Sequence, residues 1–496
     1  MADISKERDI ETLRQMARLL EVENTVLHEK LQEMSGRIAR LEGKREPEQL
    51  ALEIQVLLER LDDANRRLYG DSSERRPGNK GDTESKPKTG HGPRPQPDLP
   101  IREVNVKLAD ADRVCRSCGG GLEEIEGMTE DSESISFVRR AFYIDKLKKQ
   151  KYRCQCGGDF RTAAANGPLV PGGRYSVEVA AHIAEQKHLD HVPLDRQRRA
   201  MQRQGITVST STLWDQLDAL ADYLEPTYDL LRHYILGADV IGVDETTWRL
   251  MTKKPNTKWW VWAMCCPNAV YYGFGPSRSV NAAAQFIGDF KGTVVCDGYK
   301  AYETLASRSS ELRLALCWAH ARRKFVEAEP NYPVCTEAIE LIGDLFAIDR
   351  DTQNPALLSG DAKLAAAETR QKARADRAPP ILEALKDWAL TQRGLPKSGL
   401  RKAIDYMLKR WQPLQTFLQD PFVPLDNNAT ERALRGIVIG RKNHLGSRSE
   451  RGTKVAAIMY TIMETAKLNG LNPFDWVVDA VYRRKADPDA TPLPLT

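Results

Sequence analysis

Between residues 7 and 43, apolar side chains return at every seventh position in two parallel rows. One row reads Leu13, Leu20, Leu27, Met34 and Leu41, and the other Ile10, Ala17, Asn24, Leu31 and Ile38. Strict sevenfold spacing predicts a coiled coil, because 3.5 residues per turn keeps both rows facing a partner. Asn24 stands inside a row, where a buried amide fixes register and favours two strands. Gly43 and Pro47 end this helix, and a second seam follows in Ile54, Leu57, Leu61, Ala64 and Leu68. An internal hairpin would satisfy the same pattern. Pairing between chains, as a homodimer or higher, is the expectation adopted for residues 1–69.

The apolar pattern then stops. Residues 70–100 are rich in Pro, Gly, Ser and Lys and predict a flexible linker. Helical spacing resumes over residues 175–236, strands and helices alternate from Val240 to Leu316, and residues 318–420 are again mostly helical. No apolar run approaches the ~18 residues of a membrane helix. The N-terminus, of mixed charge, does not read as a signal peptide.

Strands are expected at Ala238–Trp248, Thr257–Cys266, Ala269–Phe274 and Gly292–Cys296, with a helix at Val280–Phe290 before the last of these. Three antiparallel strands, a helix and a fourth strand is a ribonuclease-H-like order, in which the first and fourth strands are neighbours. Asp244 lies in or at the end of the first, and Asp297 ends the fourth. Carboxylates brought together in apolar surroundings need a cation, and oxygen-only ligation suits magnesium. Two such ions ~4 Å apart can activate a water or a 3′-hydroxyl and stabilise the leaving oxygen of a phosphodiester. A strand-end cap is the plainer reading of either aspartate alone. A third acid is expected on a late helix opened by Asp426-Asn-Asn-Ala-Thr-Glu431, with Asp426 or a neighbouring Asn as cap. Asn427, Glu431 and Arg435 share a face of that helix, and a capped helix with a Glu431–Arg435 surface pair is the plainer reading of these residues alone.

Composition narrows the class. With 41% hydrophobic and 29% charged residues among 496, the chain has ample material for cores, and its length suggests about three domains. The nine cysteines include tight pairs, which favours a metal site over a disulfide framework. Cys115-Arg-Ser-Cys118 and Cys154-Gln-Cys156 are each followed by glycines and are separated by 35 residues, with strand-like stretches at Ile135–Val138 and Ala141–Ile144. One structural zinc held by Cys115, Cys118, Cys154 and Cys156 is the expectation. Cys317 and His320 form a C-x-x-H with no second pair nearby; a structural or DNA-positioning role is expected there, and a plain buried-core role is the alternative.

The net charge of +4 says little, but its distribution says more. Arg139–Arg153 and Arg432–Lys454 each hold seven Lys or Arg against one acid, patches of the kind that phosphate backbones recruit. A helix from Val192 with Pro193 in its first turn, a break at Gly205 and a second helix opened by hydroxyl residues at Thr210 read as a helix-turn-helix. An ordinary helical hairpin would look the same, and Arg196, Arg198, Arg199 and Arg203 favour DNA. Arg432, Arg435, Arg441, Lys442 and Arg448 are further candidates for phosphate contacts, the last three in a Gly-containing basic loop.

Taken in order, Asp244-Glu-Thr246, Asp297-Gly-Tyr-Lys-Ala-Tyr302, Cys317-Trp-Ala-His-Ala-Arg-Arg-Lys-Phe325 and Asp426-Asn-Asn-Ala-Thr-Glu-Arg432, then Gly440-Arg-Lys-Asn443 and Glu464-Thr-Ala-Lys-Leu-Asn-Gly470, closely resemble the insertion-sequence sixty-six family of bacterial transposases. The resemblance spans nearly the whole chain, including a Ser-Ser-Glu segment at Ser72–Glu74. It departs only in the C-x-C spacing of Cys154 and Cys156 and in Thr430, where alanine is common. It implies that Asp244, Asp297 and Glu431 are a catalytic Asp-Asp-Glu triad holding two magnesium or manganese ions. It further implies double-stranded DNA partners (terminal inverted repeats and target), a bacterial cytoplasmic, nucleoid-associated location, and room for accessory proteins of the same element.

The resulting expectation is a multidomain α/β protein. It comprises a coiled coil (1–69), a linker (70–100), a zinc module (101–165) and a helical DNA-binding domain (166–236). A ribonuclease-H-like core (237–330 and 421–450) follows, with an all-helical insertion (331–420) and a C-terminal helical segment (451–496). The separation of 134 positions between Asp297 and Glu431 is what requires the insertion. A non-catalytic DNA-binding regulator and a nuclease of the same fold are the rival readings.

Overall fold

The computed structural model describes residues 142–153, 160–162, 167–170, 172–251, 257–393 and 397–495. The heptads, the linker with Ser72–Glu74, and Cys115, Cys118, Cys154 and Cys156 lie outside the described residues. Of the cysteine module, a short antiparallel ladder is described: β1 (Lys151–Arg153) against β2 (Phe160–Thr162). Tyr143 and Ile144, read above as strand, belong to no strand and are 82% and 78% exposed.

Three helices precede the large sheet: α1 (Val177–His188), α2 (Leu194–Arg203) and α3 (Thr210–Leu236). Pro193 opens α2, Gly205 turns the chain with φ 89°, and the Ser209 hydroxyl caps α3 by accepting from the Thr212 amide at 3.0 Å. Glycine tolerates that left-handed backbone, which a side chain would strain. The apolar stripe of α3 (Leu217, Leu220, Leu224, Leu231) is fully buried.

The sheet runs β5-β4-β3-β6-β7. β3 (Val240–Leu250), β4 (Thr257–Cys266) and β5 (Ala269–Gly275) form an antiparallel meander. α4 (Val280–Ile287) crosses to β6 (Gly292–Cys296), which lies parallel to β3, and α5 (Lys300–Ala306) leads to β7 (Leu312–Leu316), parallel to β6. The strand order is the one read from the sequence. α4 stops three residues short of Phe290, because Gly288 turns the backbone to φ 56°.

α6 (Trp318–Ala328) follows β7, and then come the helices of the insertion. These are α7 (Cys335–Arg350), the long α8 (Gly360–Thr391), α9 (Gly399–Lys409) and the short α10 (Trp411–Leu414). Arg374 on α8 is fully buried, yet its charge is matched. It donates to Asp349 at 2.7 and 2.8 Å and to the carbonyls of Phe417, Asp420 and Val423, clasping the segment that returns to the sheet. Such a group is tolerated in a core only when paired in this way.

The chain closes with α11 (Asn428–His444), α12 (Glu450–Leu468) and α13 (Pro473–Ala486). Strand alternation sends Trp248, Leu250, Val261, Ala263, Val270 and Tyr272 to one face, where Leu434 and Ile437 of α11 and Ala456 and Tyr460 of α12 cover them. α12 also blunts the edge of β5. Its Thr461 and Thr465 hydroxyls accept from the amides of Tyr272 and Val270 at 3.0 and 3.2 Å. Four helical residues rise ~6 Å and two strand residues ~6.6 Å, so the two spacings match.

Candidate active site

The carboxylates are brought together by strand register. β3 and β6 pair in parallel, ending with Gly242 opposite Val295. Two residues further along come Asp244, within β3, and Asp297, just past the end of β6. Asp297 is held in its turn from two sides: its Oδ1 accepts from the Tyr299 amide at 2.9 Å, and its carbonyl accepts from the Tyr406 hydroxyl of α9 at 2.7 Å. The helical insertion therefore touches the backbone of this residue directly.

Glu431 arrives from the first turn of α11, which lies against β3. Gly242 makes that approach possible. A Cβ there would sit 2.2 Å from the Thr430 hydroxyl and 2.9 Å from the Asn427 side-chain oxygen. In its place, Asn427 Nδ2 donates to the Val243 carbonyl at 2.9 Å, and the Thr430 hydroxyl donates to Asn427 Oδ1 at 2.7 Å. Asn427 is the residue before the helix but does not cap it, because its side chain is spent on the strand. Asp426 takes the Asn428 amide instead, at 3.0 Å. Thr430 is fully buried in this seam with the Cys265 sulfur at 3.0 Å.

Burial, followed by the charges of Asp297, Glu245 and Glu431, pushes the Asp244 carboxyl up to about 7. A buried carboxyl whose proton affinity is raised further by neighbouring acids marks a site short of positive charge. Their all-oxygen donor set is the one that magnesium or manganese takes. On the chemistry of these residues, a divalent cation fits.

The opposite face of β3 carries a second acid. Glu245, almost wholly buried, pairs with Arg278 at 2.5 Å and accepts from the Tyr302 hydroxyl at 3.2 Å. Its pKa is raised, burial outweighing the opposing pull of Arg278. The Arg278 guanidinium lies over Tyr299 at 3.9 Å and Trp260 at 5.0 Å from the ring centres. The sequence singled out none of Glu245, Arg278 or Tyr406. Glu245 follows Asp244 directly, and that adjacency was the one available signal; Arg278 and Tyr406 come from distant segments.

Cys317 and His320 lie at the start of α6, and the fold supplies the third group that the sequence did not place with them. His320 Nδ1 is 3.7 Å from Glu431 Oε1, and one donor atom from each of the three residues lies within 4.8 Å of the other two. Burial lowers the His320 pKa against the pull of Glu431 and pushes the Cys317 thiol up to about 12.

The basic residues divide into two groups. Arg196, Arg199, Arg203, Arg432, Arg435, Lys442 and Arg448 are exposed. Arg198 and Arg199 share Asp195 at 3.0 and 2.9 Å. Arg441 and Lys442 are not loop residues: α11 runs through both and ends where Leu445 adopts φ 65°. Of the three, only Arg448 lies in the loop. Arg441 is used internally, donating to the Thr246 and Thr247 hydroxyls at 3.1 and 3.0 Å and to the Thr247 carbonyl.

These features define an α/β protein with a mixed five-stranded sheet and a carboxylate cluster assembled from two adjacent strands and a helix laid across them. The chain belongs to the Transposase IS66 family, which it matches over residues 172–455. It is similar to the uncharacterized protein y4jD of Sinorhizobium fredii, 32% identical over 404 residues that cover 77% of each chain. It is also similar to the uncharacterized protein y4hP of the same organism, 30% identical over 430 residues that cover 81% of this chain and 75% of that one. Among the described residues, no helix is long and apolar enough to cross a membrane.

Proposed function

We propose that this protein is a DNA transposase that binds the terminal inverted repeats of its element and cuts and joins DNA strands with a ribonuclease-H-like core. The observation that carries the reading is that Asp244 and Asp297 follow the paired ends of adjacent strands while Glu431 comes from the first turn of α11, with burial and then the neighbouring acids raising the proton affinity of Asp244. Membership of a transposase family supports it. In this reading Asp244 and Asp297 hold a pair of divalent ions, and Glu431 completes the shell of one. When bound, magnesium or manganese supplies positive charge to the attacking and leaving oxygens and makes a water or 3′-hydroxyl easier to deprotonate. Tyr299 and Tyr406 keep Asp297 in place, and Asn427 and Thr430 set the reach of Glu431. No side chain serves as a nucleophile.

Arg196, Arg199 and Arg203 on α2, and Arg432, Arg435, Lys442 and Arg448 around α11, are proposed to contact phosphates. Cys115, Cys118, Cys154 and Cys156 are proposed to hold one zinc, and residues 1–69 to pair the chains. The setting is the bacterial cytoplasm.

The test is the joining of pre-cleaved element ends to target DNA in magnesium. Asp244→Asn, Asp297→Asn and Glu431→Gln should each lower joining by several orders of magnitude while end binding changes little. A double variant should be hardly worse than a single one, because groups acting as one unit are non-additive. Near-normal joining by any single variant refutes the triad. End binding without any joining by the wild type would leave a DNA-binding regulator.

A further inference from the structure

We propose that Cys317, His320 and Glu431 form a second cation site, specific for a thiophilic divalent ion of the zinc class, that shares Glu431 with the carboxylate cluster. The inference stands without the catalytic reading, since it concerns what these three side chains bind. Each donor is delivered by a rigid element. Cys317 immediately precedes α6, and its amide donates to the Cys296 carbonyl at 3.1 Å, while the Trp318 amide donates to the Leu425 carbonyl at 2.8 Å. His320 lies in the first turn of the same helix, and Glu431 in the first turn of α11.

Two of the donor atoms are unsatisfied. His320 Nδ1 and Glu431 Oε1 are both buried with no hydrogen-bond partner. At 3.7 Å they are too far apart to bond each other. Buried polar atoms are rarely left in this state, and a bound ion is one of the ordinary explanations. Their separation suits a shared cation: ligand bonds of ~2.0–2.1 Å set nitrogen and oxygen ~3.4 Å apart around a tetrahedral zinc. The observed 3.7 Å, with all three donors within 4.8 Å, needs only a small closure.

The third donor decides the chemistry. Cys317 Sγ is fully buried and accepts the Asn427 amide at 3.3 Å, an interaction that favours negative charge on sulfur. Thiolate and imidazole select zinc over magnesium, whereas the nearby aspartates offer oxygen alone. Three protein donors from Cys, His and Glu leave a fourth position open on the metal. Binding would release the Cys317 thiol proton to solvent, so affinity should rise with pH.

The experiment uses the full-length chain, reduced and stripped by chelator, then titrated with cobalt(II) as a zinc probe. Wild type should bind one equivalent more than Cys317→Ser or His320→Ala, and its cobalt–thiolate absorption should exceed that of either. The N-terminal cysteines contribute equally to all samples and cancel in the difference. Asp244→Asn should retain the extra equivalent, and zinc should displace cobalt from it. Equal stoichiometry and equal absorption in wild type and His320→Ala overturn the proposal. Loss of the equivalent in Asp244→Asn also overturns it, because the ion would then belong to the aspartates. If Cys317→Ser does not fold, His320→Ala decides, since its side chain is 21% exposed and its loss leaves the core intact. Strand joining measured on the same preparations separates the two readings. Near-normal joining by Asp244→Asn with the extra cobalt retained counts against the catalytic assignment alone.

Discussion

Asp244 shows how one residue can hold stability and function in opposition. Its carboxyl is pushed from 3.8 to about 7, chiefly by burial and then by three neighbouring acids. An acid whose folded pKa is raised favours the protonated state, so the native fold binds more protons than the unfolded chain between these values. The stabilising difference is present below about pH 4 and is lost as pH rises through 7. Metal-free wild type should therefore lose stability over that window relative to Asp244→Asn. The loss should be roughly 1–4 kcal/mol, one pKa unit corresponding to about 1.4 kcal/mol. Thermal melts in chelator at pH 4 and pH 8 measure this: the variant should match wild type at the first and exceed it at the second. Saturating magnesium should close the gap at pH 8. A gap that does not change with pH would mean that Asp244 is not under charge strain.

At the scale of elements, the decisive contact is the seating of α11 on β3. Gly242→Ala puts a methyl group 2.2 Å from the Thr430 hydroxyl, within a seam also held by Asn427. α11 must lift, at a cost of about 1–3 kcal/mol for overpacking. Glu431 would move away with it, so the variant should bind magnesium more weakly as well as melt earlier, both readable by calorimetry. An unchanged melting temperature would show that the seam is loose. The heptads make a separate prediction: a fragment of residues 1–69 should be helical and self-associating, and Leu20→Pro should abolish both properties. A monomer at all concentrations in sedimentation would leave an internal hairpin.

Elements were also where the sequence was most legible. Strand alternation and the acids at strand ends gave the order of β3 to β6 and put Asp244 beside Asp297, because these depend on local pattern and register. Less legible was whatever depended on two distant segments meeting. Cys317 and His320 read as an isolated pair because Glu431 is more than a hundred positions away and comes from another helix. Arg441 and Lys442 were misplaced in a loop because glycines and basic residues mimic one, whereas the helix runs on until Leu445. Tyr406 carried no signal at all, its role being set by where α9 packs.

Across the whole molecule, the boundary drawn at residue 237 from the change in pattern does not divide the packing. α3 lies on β5 and α12: the Tyr228 hydroxyl donates to the Tyr272 carbonyl at 2.9 Å, Arg451 reaches Asp218 at 2.5 Å and also Asp222, and Lys454 reaches Glu225 at 3.0 Å. The C-terminal segment returns to the same helices. Tyr482 donates to Glu178 at 2.8 Å, Thr227 to the Pro492 carbonyl at 2.9 Å, and Lys485 to the carbonyls of Gly167 and Pro168 at 2.9 and 3.0 Å. The family match begins at residue 172, just before α1 rather than at β3. Removing residues before 237 would expose the apolar faces of β5 and α12 and strip away the α3 leucines, each worth about 1.5–3 kcal/mol of burial. That loss is comparable to the ~5–15 kcal/mol that stabilises a typical domain. A fragment of residues 167–496 should therefore be soluble and unfold cooperatively, whereas 237–496 should aggregate or resist refolding. Expression of both, followed by limited proteolysis and thermal melts, makes the comparison. A cooperative transition for 237–496 at a temperature close to that of 167–496 would show that the helices ahead of the sheet are a separable domain after all.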